Sequence, residues 1–221
     1  MEESFCASEK DVINFEKHWN NAYQKTPVSS LGWYEAVSYP TLELIEECNL
    51  PKNALIFNAG AGATTLIEDL LNLDYSNIVV NDISSSALTE LKFGLSKHKN
   101  SNVKFIVDDL TNPAELLTLK NVDLWNDRAV LHFFTKKHQQ EVYFNLLKRV
   151  VKKGGFVILS EFNLKGAKKC SGLDIVNYDE YKLQERLGSD FKLLKSYDYT
   201  YHQPSGDTRE FVYTLFIRIN I

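Results

Sequence analysis

Residues Ala54–Leu66 read "ALIFNAGAGATTL". An apolar run enters two glycines, Gly60 and Gly62, and a helical pattern, "TTLIEDLLNL", follows. Strand, glycine loop and helix in that order make a ligand-binding turn. The two glycines let the backbone turn tightly and approach a ligand without a Cβ. The helix start beyond them offers free N–H groups to an anionic group. The third glycine of a dinucleotide loop is missing, and Thr65 stands in its place. Asn58 opens the loop at a position where related loops commonly carry an acid.

The rhythm continues on the C-terminal side. "NIVVNDIS", "VKFIVDDL", "VDLWNDRAV" and "GFVILSEF" read as further strands. Between them, "SSALTELKFGLSKH", "NPAELLTL" and "KKHQQEVYFNLLKRVV" read as helices, the first with Ser84 to Ser86 as candidate N-caps and the last stopped at "KKGG". Strands alternating with helices imply a parallel sheet covered on both faces. The C-terminal part differs. After a helix at "YDEYKLQERLG", the runs "FKLLKSYDYTYHQ" and "REFVYTLFIRI" flank "PSGDT" and predict an antiparallel hairpin. The expected fold is α/β: a doubly wound, mostly parallel sheet with a C-terminal antiparallel hairpin.

On the N-terminal side, "YPTLELIEECNLPKN" predicts a helix ended by Pro51. Before it, "HWNNAYQKTPVSSLGWYE" is polar, with Trp19, Tyr23, Trp33 and Tyr34 as aromatic anchors. It reads as a short helix and a loop that folds over something. The expected organisation is an N-terminal helical and aromatic lid over residues 1–40 and a ligand-binding domain over 41–221.

The 221 residues suit one domain of ordinary size, with or without an N-terminal extension. The formal net charge of −4 implies no broad basic surface and makes nucleic acid an unexpected partner. No stretch approaches the roughly 20 apolar residues of a membrane span. The acidic, polar N-terminus lacks the basic start and apolar core of a secretory signal. Cys6, Cys48 and Cys170 are widely spaced, without CxxC, so reduced thiols, a cytoplasmic location and no metal site are expected.

In a doubly wound sheet, ligands bind outside the carboxyl ends of the strands. The residues standing there are Asn58, Gly60, Ala61 and Gly62, then Asp82 and Ile83, then Asp108, Asp109 and Leu110, then Asn126, Asp127 and Arg128, and finally Glu161 and Phe162. A carboxylate at Asp82 suits ribose hydroxyls. Asp109 suits an exocyclic adenine amine, with Asp108 as the register alternative. The set describes an adenosine-containing ligand. A nicotinamide cofactor wants the third glycine and a second domain; S-adenosylmethionine wants neither.

From about Leu42 to Ile221, the chain resembles a class I S-adenosylmethionine-dependent methyltransferase. The residues that carry the likeness are "FNAGAG", "VVNDIS", "FIVDDL" and "LLKRVVKKGGFVIL", in that order. Each is weak alone; their order makes them specific. Within the superfamily, the segments "LWNDRAVLHFF", "KCSGL" and "LGWYE" are similar to those of one small group. The resemblance implies S-adenosylmethionine as cofactor and S-adenosylhomocysteine as product. It implies cofactor contacts from Asn58, Gly60, Ala61, Gly62, Asp82, Ile83, Asp109, Leu110 and Asn126. Asn58 replaces the usual acid, and Asn126 stands where the group leads one to expect histidine.

On the acceptor side, Asp127, Arg128 and His132 are the candidate catalytic residues. Asp127 is the candidate base. Arg128 either pairs with Asp127 or clamps an anionic substrate. His132, among Leu131, Phe133 and Phe134, reads more readily as a packed core residue than as a base. Trp33, Tyr34, Trp125 and Phe162 are candidate acceptor contacts. Cys170 reads as a small buried or lid residue, since the Pro-Cys element of cytosine C5 chemistry is absent. Lys165, Lys168 and Lys169 read as a solvated face. The expected activity is methyl transfer to a small-molecule acceptor. The alternatives are a protein lysine acceptor, a cofactor binder without turnover, and a nicotinamide enzyme.

Overall fold

The computed structural model describes residues 13–98 and 102–220. Cys6 and the first residues of the expected lid lie outside them. The elements are α1 (Phe15–Lys25), α2 (Tyr39–Glu47), β1 (Leu55–Ala59), α3 (Leu66–Asn72), β2 (Asn77–Asp82), α4 (Ser85–Gly94), β3 (Val103–Val107), β4 (Val122–Arg128), α5 (Lys137–Val150), β5 (Val151–Phe162), β6 (Lys169–Cys170), β7 (Leu173–Asp174), α6 (Glu180–Leu187), β8 (Phe191–His202) and β9 (Thr208–Arg218). Seven strands form one sheet in the order β3-β2-β1-β4-β5-β9-β8. The first five are parallel, and β8 and β9 add an antiparallel pair at one edge.

Successive strand residues point to opposite faces, so a strand buried on both sides must be apolar throughout. In β1, Phe57 joins a cluster with Trp125, Tyr143, Leu147 and Leu183, the side of α5 and α6. Ile56 joins the other cluster, with Leu44, Ile67 and Leu91 of α2, α3 and α4. Ser84 caps α4 as expected, its hydroxyl accepting from Ala87 N at 3.0 Å.

Three expectations shift. The helix expected at "NPAELLTL" is one 3-10 turn, Glu115–Thr118. α2 stops at Glu47, well before Pro51, and Asn49 beyond it takes φ +46°. α5 stops just before "KKGG" as expected, but β5 begins at Val151 rather than Gly155 and runs through "KKGG", its register against β4 slipping between Val122 and Leu124. The short hairpin β6–β7 was not foreseen; Ser171 and Gly172 both have positive φ at its turn.

Beneath the sheet, on the α5 side, lies a buried polar cluster. Tyr143 donates to Asp127 Oδ2 at 2.6 Å and accepts from Trp125 Nε1 at 3.0 Å. His132 Nδ1 lies 2.7 Å from Glu161 Oε2. All of these side chains are fully buried. Burial pushes the Asp127 carboxyl well up, and the nearby Glu161 adds to the rise. Burial pushes Glu161 up to about 8.

Replacing Tyr143 by Phe removes one hydroxyl and leaves both Asp127 Oδ2 and Trp125 Nε1 short of a partner. The expected loss is roughly 1–3 kcal/mol of unfolding free energy, read by urea denaturation, because buried polar groups are left unpaired. No measurable loss would mean that the cluster is hydrated or repairs itself.

Candidate active site

The strand order reverses between β1 and β4, and a deep pocket opens at their carboxyl ends. Its floor is the glycine loop. Gly60 and Gly62 have φ of +52° and +56°. A Cβ on Gly60 would strike the Val130 side chain, and one on Gly62 would strike the Tyr23 hydroxyl. The loop is anchored by Ala61 N donating to Asn81 O at 2.7 Å. Gly62 N donates to Asp82 Oδ2 and Ser84 N to Asp82 Oδ1, each at 2.8 Å. Burial, only partly offset by these donors, pushes the Asp82 carboxyl up to about 6.

Asn58 and Asn126 stand side by side, paired in the parallel register of β1 and β4. Asn126 Nδ2 donates to Asn58 Oδ1. Asn126 Oδ1 is buried and has no partner among the described residues. An unpaired buried acceptor is costly, so this oxygen suits a ligand N–H.

At the end of β3 the two aspartates differ. Asp108 accepts from the backbone N–H of Asp109, Ala114 and Leu116, each at 2.9 Å, and so caps its own loop. Asp109 Oδ1 accepts from Thr111, at 2.7 Å from its N and 2.8 Å from its Oγ1. Both carboxylates line the pocket, with Ile83 and Leu110 beside them.

The roof is the N-terminal segment. Trp19 packs edge-on against Trp33 and Phe133, with centroids 5.5 and 4.9 Å apart. Tyr34 and Glu35 complete that side. Asn20 Oδ1 accepts from Ser84 Oγ at 2.8 Å and docks α1 on the start of α4.

Arg128 fastens this roof. Its Nη2 lies 3.0 Å from Glu35 Oε1, its Nη1 donates to Trp33 O at 3.1 Å and its Nε to Tyr213 Oη at 3.1 Å. The guanidinium lies 4.8 Å from the centre of the Tyr201 ring. Tyr213 and Glu35 hold it charged against the burial that opposes charge. Burial raises the Glu35 carboxyl, and Arg128 opposes that rise. Tyr201 Oη donates to Tyr34 O, and Gln203 Nε2 to Gly32 O at 2.6 Å. The terminal hairpin therefore straps the lid.

The structure brings Asn58, Gly60, Ala61, Gly62, Asp82, Ile83, Asp109, Leu110, Asn126, Arg128, Trp33 and Tyr34 together around one pocket. It separates four other candidates. Asp127, His132 and Trp125 belong to the buried cluster beneath the sheet, and Phe162 stacks on His132 with centroids 4.8 Å apart. None of the four lines the pocket. Nor does Arg128 pair with Asp127: its carboxylate partner is Glu35. Sequence reasoning missed Glu35 and Asn81. Asn81 Nδ2 donates to Ile106 O at 3.2 Å and Asp108 O at 2.9 Å, joining β2 to the β3 end. Cys170 lines the pocket mouth from β6.

The sequence profile of the methyltransferase domain matches residues 51–209, and the chain belongs to that family. A Danio rerio protein named EEF1A lysine methyltransferase 2 is 23% identical over 175 residues, 72% of this chain and 74% of its own. An S-adenosylmethionine-dependent methyltransferase from Anabaena variabilis superposes with a TM-score of 0.73 at 15% identity, over 94% of this chain and 96% of that one. The Burkholderia thailandensis 1,6-didemethyltoxoflavin-N1-methyltransferase, solved with its acceptor and S-adenosylhomocysteine, superposes with a TM-score of 0.66 at 14% identity, over 83% and 78% of the two chains. The protein is a methyltransferase that uses S-adenosylmethionine.

Replacing Arg128 by Met leaves Glu35 charged and buried without its partner. Breaking such a pair costs roughly 3–5 kcal/mol. Urea unfolding should show that loss, and hydrogen exchange of Trp33–Ser38 should accelerate more than that of β1. The double change Arg128→Met with Glu35→Gln should recover part of it. If the double variant is no better than the single one, Glu35 is not the relevant partner.

Proposed function

We propose that the enzyme methylates a small molecule enclosed under the aromatic lid, and that this acceptor carries no phosphate or carboxylate near the reacting atom. The observation that carries this reading is the state of Arg128. Among the described residues it is the one Lys or Arg side chain lining the pocket, and Glu35, Trp33 O and Tyr213 already engage it. A guanidinium whose charge is already matched by Glu35, and whose Nε and Nη1 already donate, is poorly placed to clamp a second anion bidentately. Most of the acceptor-side wall is aromatic or apolar: Trp19, Trp33, Tyr34, Phe133 and Phe134.

The same geometry supports a set of cofactor contacts. Asp82 would accept from the ribose hydroxyls and Asp109, through its second oxygen, from the adenine amine. Asn126 Oδ1 would accept from the ammonium. The amide pair would thus do by polarity what an acidic loop does by charge. Bound there, S-adenosylmethionine supplies an electrophilic methyl group on a sulfonium. The chain's own task is to hold acceptor and cofactor in line and keep water out, which the strapped lid serves. Asp127 is given no proton-transfer role, because it lies behind the sheet.

A lysine acceptor is the second reading, favoured by the Danio rerio relative. An unbranched amine chain would enter the same aromatic channel. Incubation of the enzyme with labelled cofactor, against small amines and against protein extract, separates the two.

Cofactor binding is the direct test. Calorimetry should show S-adenosylhomocysteine bound and NAD not, and Asp82→Ala should weaken the former. The pH profile is specific. Burial pushes the Asp82 carboxyl up to about 6, and only the ionised form would accept from both ribose hydroxyls. Wild-type affinity should therefore hold above about pH 6 and fall by up to about tenfold per pH unit below it, the limit for one linked proton. Asp82→Asn should remove the slope. A wild-type profile flat from pH 5 to 8 would take Asp82 out of the site.

A further inference from the structure

Tyr23 stands on α1, far in sequence from the glycine loop, yet its side chain ends on that loop. Its ring is buried, at 8% exposure, and lines the cofactor side of the pocket. Its Oη occupies the space that a Cβ on Gly62 would need. Trp33 Nε1 donates to that oxygen at 2.9 Å. The phenol oxygen thus already accepts from the indole. What remains is the O–H, which is paired with no acceptor among the described residues. Burial, with the charge of Asp82 nearby, holds the phenol firmly in its protonated form.

A donor fixed in this way has a use in this pocket. The lining carries four carboxyl groups, Glu35, Asp82, Asp108 and Asp109, and its one guanidinium is committed. A ligand carboxylate entering here finds no free cation. It must be satisfied by neutral donors whose hydrogens are unspent. The Tyr23 O–H is such a donor, and it is placed against the loop that faces the cofactor.

Resting on the cofactor reading above, we propose that Tyr23 is a cofactor-positioning residue: its hydroxyl donates to the carboxylate of the methionyl end. Trp33 orients that hydroxyl from the lid. The same indole forms part of the acceptor-side wall, packed edge-on against Trp19. Cofactor and lid would then be linked through one hydrogen bond, with Tyr23 on α1 and Trp33 in the loop after it.

The test compares two ligands that share the adenosine half. S-adenosylhomocysteine has the amino-acid carboxylate; 5′-methylthioadenosine lacks it. Calorimetry on wild type and Tyr23→Phe should show S-adenosylhomocysteine weakened roughly tenfold or more, the scale of one hydrogen bond to a charged group. The affinity for 5′-methylthioadenosine should change by less than about twofold, since no charged partner is lost there. A second variant, Trp33→Phe, keeps the phenol and removes its anchor together with part of the acceptor-side wall. It should weaken S-adenosylhomocysteine by a smaller factor and again spare 5′-methylthioadenosine. Equal losses for both ligands in Tyr23→Phe would mean a structural effect on the loop and would overturn the proposal. So would unchanged affinity for S-adenosylhomocysteine. If the wild type binds neither ligand, the cofactor reading itself fails, an outcome separate from these two.

Discussion

Arg128 carries a full charge in a place with little water, and its partners come from distant parts of the chain. Glu35 and the Trp33 carbonyl belong to the lid, Tyr213 to β9 and Tyr201 to β8. Removing a guanidinium from water costs several kcal/mol, and only a full set of partners offsets that. Two of the four contacts, Glu35 and the Trp33 carbonyl, would be lost if the lid lifted away. Opening the pocket therefore means hydrating Arg128 and Glu35 together. The closed lid is held by an electrostatic constraint as much as by its aromatic packing. On the function proposed above, the same constraint takes the cation out of acceptor recognition.

The floor of the pocket depends on a second interlock. Val130 fills the space over Gly60, and Tyr23 fills the space over Gly62. The two glycines thus serve packing within the protein as well as approach to a ligand. Val130 is placed by Ala129, which takes φ +67°, a left-handed conformation that costs a non-glycine residue about 1 kcal/mol or more. Two bonds hold it there: Ala129 N donates to Ser160 O at 2.9 Å, and Val130 N to Asp127 Oδ1 at 3.1 Å. Asp127 in turn is fixed by Tyr143. The buried cluster beneath the sheet shapes the floor through backbone, without touching a ligand.

The alternation of strands and helices was legible in the sequence because a sheet buried on both faces leaves a strong apolar signal. The strand ends followed from it, and with them Asn58, the glycine loop, Asp82 and Asp109. The acceptor side was less legible. "WNDR" lies within a strand, and period two forbids Asp127 and Arg128 from facing the same way. The sequence does not say which parity meets the pocket; packing decides it. Trp125 and Asp127 turn toward α5, Asn126 and Arg128 toward the site. The Arg128–Glu35 pair joins residues 93 positions apart, beyond the reach of any local pattern. The start of β5 was placed too late for another reason: glycines usually break a strand, and here they absorb a slip in register.

Asn58 in place of an acid takes on meaning against the rest of the lining. Four carboxyl groups already face the pocket, opposed by one guanidinium. Each added charge of the same sign raises the cost of keeping the others ionised when buried. Asp82, already pushed up to about 6, would be pushed further by a carboxylate at position 58 and would lose its value as an acceptor at neutral pH. An amide pair supplies an acceptor oxygen without that charge. The remaining acidity has a direction of its own. Methyl transfer turns a cofactor with a net positive charge into a product with none. With the cofactor contacts proposed above, a lining rich in carboxyl groups would favour the former over the latter and so work against retention of the product.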